Sequence, residues 1–118
     1  MDFNDKIAIV TGGSSGIGES TVDLLTKFGA QVINLDIIEP KISKTKSKFI
    51  QIDITQENNV IQIISQIIKE YNQIDVLVNS AGVTARNALS DNYTEYELWK
   101  KVLDVNLNGT YLVSREVI

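Results

Sequence analysis

The segment Thr11-Gly12-Gly13-Ser14-Ser15-Gly16-Ile17-Gly18 constrains the fold of this chain more than any other. Ahead of it lies Lys6 to Thr11 (KIAIVT), a short β-branched run that reads as a buried strand. From Gly16 to Phe28 the pattern is helical, with Ile17, Leu24, Leu25 and Phe28 on one stripe and Gly29 as the stop. Four of the seven positions 12–18 are glycine, which suits a backbone that turns sharply and comes close to a ligand. A helix starting there presents N–H groups and a partial positive charge to the turn, where a pyrophosphate fits. An ordinary strand-to-helix turn seldom needs so many glycines. Gly12, Ser14, Ser15, Gly16, Ile17 and Gly18 are therefore the candidates for holding a dinucleotide. The rival phosphate loop, G-x-x-x-x-G-K-[ST], nearly fits Gly13 to Ser20. Glu19 stands where its lysine belongs, however, and a carboxylate facing a triphosphate has the wrong sign.

The rest of the chain continues the strand and helix alternation. Gln31 to Asp36 (QVINLD), Phe49 to Asp53 (FIQID) and Ile74 to Asn79 (IDVLVN) read as strands. Between Asp36 and Phe49 no apolar stripe runs, so a loop or very short helix is expected there, with Lys41, Lys44, Lys46 and Lys48 as a solvated basic cluster. In Gln56 to Tyr71, Val60, Ile61, Ile64, Ile67, Ile68 and Tyr71 repeat at helical spacing behind Thr55 as the expected cap. Thr94-Glu95-Tyr96-Glu97 is a capping-box pattern opening a last helix. Nearly all-apolar strands are those of a parallel sheet covered on both faces. The expected fold is therefore α/β, a doubly wound parallel sheet.

Asp36 ends the second strand, eighteen positions after Gly18, near the spacing of a carboxylate that holds adenosine ribose hydroxyls. Such an acid rejects a 2′-phosphate: like charges about 4 Å apart repel by about 4 kcal/mol at an effective dielectric of 20. NAD is thus expected over NADP. The strands end in Gly12, Asp36, Asp53 and Asn79, and the carboxyl edge of an open parallel sheet is where ligands bind. Composition narrows the function further. The net charge of −4 argues against a nucleic-acid or anionic-membrane surface. With no Cys and no His, thiolate metal sites and His-based triads are impossible, and no metal site is expected. The polar start and the absence of a long apolar run suggest a soluble cytoplasmic protein.

Together these segments resemble the short-chain dehydrogenase/reductase family over the whole chain. T-G-G-S-S-G-I-G is similar to its T-G-x-x-x-G-x-G cofactor fingerprint. Asp53-Ile54-Thr55 resembles its D-V-T element, whose acid contacts the adenine amine. Asn79-Ser80-Ala81-Gly82 resembles N-N-A-G, which supports the sheet and borders the cofactor, with Ser80 in place of the second Asn. Val105-Asn106-Leu107-Asn108-Gly109 resembles V-N-x-x-G, whose Asn belongs to the active-site tetrad. The resemblance implies a Rossmann-type sheet in the order 3-2-1-4. It adds Asp53, Ile54, Asn79, Ala81 and Gly82 to the cofactor candidates. Asn106, a poor helix former in a helix, becomes a catalytic candidate that kinks the helix and holds a water in a proton relay.

In the family, a Tyr acts as general acid/base, a Lys lowers its pKa and a Ser orients the substrate oxygen, all beyond the Asn. On that order the 118 residues are expected to be an NAD-binding domain that ends before the catalytic segment, and not catalytic alone. Tyr96 and Lys100 fit Tyr-x-x-x-Lys but precede Asn106, so they are assigned to the helix surface, and Trp99 to core or interface. The fourth strand is expected to present an open edge. The implied activity is hydride transfer between NAD and a small alcohol or carbonyl compound, a sugar, polyol or 3-oxoacyl-type compound being among the candidates. The implied partner is another copy of the chain, joined through the helix near Thr94. A non-catalytic dinucleotide sensor and a structural fragment are the alternatives.

Overall fold

A computed structural model describes residues 1–41, 46–84 and 93–118. Four strands, β1 (Ile7–Thr11), β2 (Gln31–Asp36), β3 (Lys48–Gln51) and β4 (Val76–Asn79), form one sheet in the order β3-β2-β1-β4. Every pairing is parallel, with Ile9 opposite Ile33 and Leu77, and Leu35 opposite Ile50. This is the doubly wound arrangement expected. Alternation along the strands splits the core between the two faces. Ile7, Ile9, Ile33 and Leu35 pack with Ile52, Ile54, Val60, Ile64, Ile67 and Val113 on one face. Ala8, Val10 and Val32 pack with Val22 and Ala30 on the other.

Helix α1 (Gly16–Lys27) covers the second face and differs from the expected stripe. Ile17 is 82% exposed and Leu24 53% exposed, while Gly18 and Val22 are buried and Leu25 packs against the core. The buried stripe, 18-22-25, is offset by one residue because it begins on a glycine that carries no hydrophobic signal. A Cβ at Gly18 would lie 2.0 Å from the Gly12 carbonyl oxygen, so the helix packs on the loop at that point. The expected stop holds: Gly29 has φ +103° just past Phe28.

Helix α2 (Glu57–Tyr71) buries Val60, Ile64 and Ile67 on the first face. Each such side chain contributes about 1.5–3 kcal/mol. Its cap differs from expectation. Gln56 is the N-cap and offers no side-chain bond. The Thr55 hydroxyl instead donates to Asp53 Oδ1 at 2.7 Å, and its N–H to the same oxygen at 3.0 Å, closing an Asx turn. Asn72 ends the helix in the left-handed region, its N–H donating to Ile68 O. Two strand boundaries also move. β3 starts at Lys48, which pairs with Glu70 at 3.1 Å instead of joining a solvated loop, and ends two residues before Asp53. β4 starts at Val76, since the Asp75 carboxylate takes the Ile7 N–H. Lys44 of the expected basic cluster lies outside the described residues.

The capping box expected at Thr94 is present. Glu97 N–H donates to Thr94 Oγ1 at 3.2 Å, and Thr94 N–H to Glu97 Oε2 at 2.8 Å. It opens α3 (Glu95–Leu103), which runs through a π-helical turn (Asp104–Gly109) into α4 (Thr110–Val117). α4 lies beside α2, where the exposed Arg115 bridges to Glu57 at 3.0 Å. α3 buries none of its residues, so Trp99, 63% exposed, is not core. Tyr96 is exposed as expected, with Lys100 Nζ 4.8 Å from its ring centroid. Among the described residues, no strand pairs the outer side of β4, and no helix is long and apolar enough to cross a membrane.

Candidate functional site

Where β1 ends, β2 takes over its amides one at a time. Gly12 N–H donates to the Leu35 carbonyl at 2.8 Å, the last bond of the backbone ladder. Gly13 N–H donates to the side-chain Oδ1 of Asn34 at 2.9 Å, and Ser14 N–H to Asp36 Oδ2 at 3.0 Å. Asn34 and Asp36 lie two apart, so both face the side of the sheet that α1 covers. Asn34 is 2% exposed, and its Nδ2 donates to Ser14 Oγ at 3.0 Å. A buried carboxamide is tolerated because both of its ends are paired.

The Asp36 carboxylate is held from two sides. While Oδ2 takes the Ser14 amide, Oδ1 accepts from Ile37 N–H at 2.7 Å and Ile38 N–H at 3.2 Å. The acid is thereby fixed at the lip of the loop. Gly12 has φ +68°, and a Cβ there would lie 2.6 Å from Ala81 Cα, so the loop can rest on Ser80-Ala81 only as glycine. Ala81 N–H in turn donates to the buried Thr11 hydroxyl at 3.1 Å. The first-turn amides of α1 have no intrahelical acceptor by position, and the Ser15 side chain does not cap them.

These parts border a cleft of about 430 Å³ at the carboxyl edge of the sheet. The expected residues Gly12, Ser15, Gly16, Ile17, Asp36, Asp53, Ile54, Ala81 and Gly82 all line it. Leu35, Ile37, Ile38, Ile52, Ser80, Val83 and Val105 complete the wall. Among the described residues, none that lines the cleft is Lys or Arg. The wall offers a polar floor of loop amides, two carboxylates and an apolar rim. That combination suits a ligand with phosphates, sugar hydroxyls and a flat apolar base.

Four expected residues do not line the cleft. Ser14 and Gly18 are buried beneath the loop. Asn79 donates from Nδ2 to Ser114 Oγ at 3.1 Å, tying the end of β4 to α4. Asn106 lies in the π-helical turn, a local widening frequent at functional sites. Its side chain pairs with the backbone of Val83 in both directions: Oδ1 accepts from Val83 N–H at 2.7 Å and Nδ2 donates to Val83 O at 2.8 Å. It thus anchors Val83, which lines the cleft. Tyr96 borders a separate groove on α3, and neither it nor Lys100 lines this cleft.

Asn34 and Gly13 were not among the expected site residues. Their signal is faint but present in the sequence: a carboxamide in the middle of an apolar strand needs a partner, whereas an apolar residue there would need none.

Residues 6–118 match the model of the short chain dehydrogenase family. The chain is 38% identical to an NAD-dependent glycerol dehydrogenase of Listeria innocua, over 97% of this chain and 47% of that protein. Among solved structures it superposes on the ligand-free aldohexose dehydrogenase of Thermoplasma acidophilum with a TM-score of 0.84. The identity there is 36%, covering 98% of this chain and 44% of that one. A short chain dehydrogenase of Leptospira borgpetersenii with bound NAD+ gives a TM-score of 0.83 at 33% identity, covering 98% and 46%. The chain spans about half the length of the curated relatives it matches.

Proposed function

The chain belongs to the short chain dehydrogenase family, and on that premise we propose that its cleft binds NAD for hydride transfer to or from a small alcohol or carbonyl compound. The observation that carries this reading is the joint between the loop and Asp36, with the carboxylate held by the Ser14 amide at the edge of the cleft. In this reading the first-turn amides of α1 meet the pyrophosphate and Asp36 takes the adenosine ribose hydroxyls. Asp53, Ile54 and the rim at Ile37, Ile38 and Val105 enclose the adenine. NAD, once bound, supplies the hydride acceptor at its nicotinamide ring.

The naming of one relative as NAD-dependent and the NAD+ held by another support NAD over NADP. So does the negative charge of Asp36, with no Lys or Arg lining the cleft among the described residues. Asn106 orients the Val83 segment beside the nicotinamide half of the cofactor and takes part in proton relay. The general acid/base Tyr and its Lys are not Tyr96 and Lys100, neither of which lines the cleft. These 118 residues therefore act as the cofactor-binding part of the enzyme.

We further propose that the enzyme works in the cytoplasm as a homo-oligomer through α3, whose Tyr96, Trp99 and Leu103 are exposed together. Two measurements on the full-length protein test the central reading. Calorimetry should give a lower Kd for NAD than for NADP, and a panel of alcohols, polyols and sugars should include one that reduces NAD. Tighter NADP binding, or no cofactor binding at all, refutes it.

A further inference from the structure

We infer that Asn34 is a positioning residue for the phosphates of the bound cofactor, an inference that rests on reading the cleft as a dinucleotide site. The backbone ladder between β1 and β2 ends at Gly12. The next amide, at the buried Gly13, is met by a side chain, Oδ1 of Asn34 at 2.9 Å. An amide N–H can only donate, so this bond fixes which way the carboxamide faces. Its Nδ2 then points at Ser14 Oγ, which must accept. The Ser14 hydroxyl hydrogen is thereby turned away from Asn34. One side chain thus sets two consecutive loop residues, and Ser15, Gly16 and Ile17 follow directly into the cleft wall.

Asn34 itself does not line the cleft. It acts through the loop. With an isosteric apolar residue at position 34, the Gly13 N–H would lose its acceptor while buried, and the loop would shift to find water. Amides placed for a diphosphate would move with it. The ribose acid Asp36 keeps its bonds to Ile37 and Ile38 in that case. The effect should therefore fall on the phosphates and spare the nucleoside. Gly13 provides an independent route to the same state: a methyl there would lie 2.5 Å from Asn34 Oδ1 and displace the carboxamide without removing it.

The test compares ADP with adenosine, titrated by calorimetry into the full-length protein and its Asn34→Leu and Gly13→Ala variants. The expected result is an ADP Kd raised about tenfold or more, with the adenosine Kd changed by less than about twofold. If one variant does not fold, as judged by circular dichroism, the other carries the comparison. Equal weakening of both ligands, an unchanged ADP Kd, or failure of both variants to fold would overturn the inference and leave Asn34 a structural residue only. Absence of NAD and ADP binding in the unaltered protein would remove the dinucleotide reading and this inference with it. Binding there without the split in the variants would remove this inference alone.

Discussion

Ser14 N–H and the Asp36 carboxylate meet at 3.0 Å, so the loop that faces the phosphates is bonded directly to the acid that faces the ribose. The two recognition elements are separated by 22 positions in sequence and joined in space. Removing the Asp36 carboxylate therefore also leaves the Ser14 amide without its acceptor.

Asp36→Ala removes the ribose acceptor, the repulsion toward a 2′-phosphate and the acceptor for three backbone amides. NAD should bind more weakly. The NADP-to-NAD affinity ratio should rise between about tenfold and about a thousandfold, the upper figure being the unscreened value of a like-charge pair. Titration of both cofactors into both proteins measures it.

Gly18→Ala places a methyl 2.0 Å from the Gly12 carbonyl oxygen, a backbone atom that cannot swing aside. The expected loss is about 1–3 kcal/mol in urea denaturation, as for overpacked sites. NAD affinity should fall as well, because α1 must move away from the loop.

Ile64→Ala empties a fully buried position on α2 against the sheet. Denaturation should show a loss of about 2–5 kcal/mol. Ile64 does not itself line the cleft, so the NAD Kd of the folded variant should stay within about twofold.

Asn106→Ala removes both bonds to Val83. These bonds are solvent-exposed, and the expected stability cost is about 1 kcal/mol. The sharper readout is hydrogen exchange at the Val83 amide, which should become faster. An unchanged rate there would show that the side chain does not hold this segment.

Tyr96→Phe tests the assignment of the exposed Tyr-x-x-x-Lys pair to the surface of α3. In the full-length enzyme, kcat should stay within about twofold, as for an ordinary surface substitution. Loss of turnover would return Tyr96 to the catalytic machinery. Trp99→Glu, on the same face, should lower the oligomeric state seen by light scattering while leaving the melting temperature of the separated chain nearly unchanged.

By itself the sequence determined the alternation of strands and helices, the parallel sheet, the glycine loop, the capping box at Thr94 and the position of Asp36 at a strand end. Each of these is written in neighbouring residues, as hydrophobic period, turn chemistry or fixed spacing. Only the tertiary structure decided the partners. It turned α1 onto Gly18 and Val22, gave Thr55 to Asp53 instead of to α2, set Asn79 against Ser114, and bonded Asn34 to Gly13 and Ser14. Most of these contacts join residues twenty or more positions apart, and the shorter ones depend on how packing orients a helix or turn. A buried donor takes whichever acceptor the packed sheet brings within about 3 Å, and that choice is made by the fold as a whole.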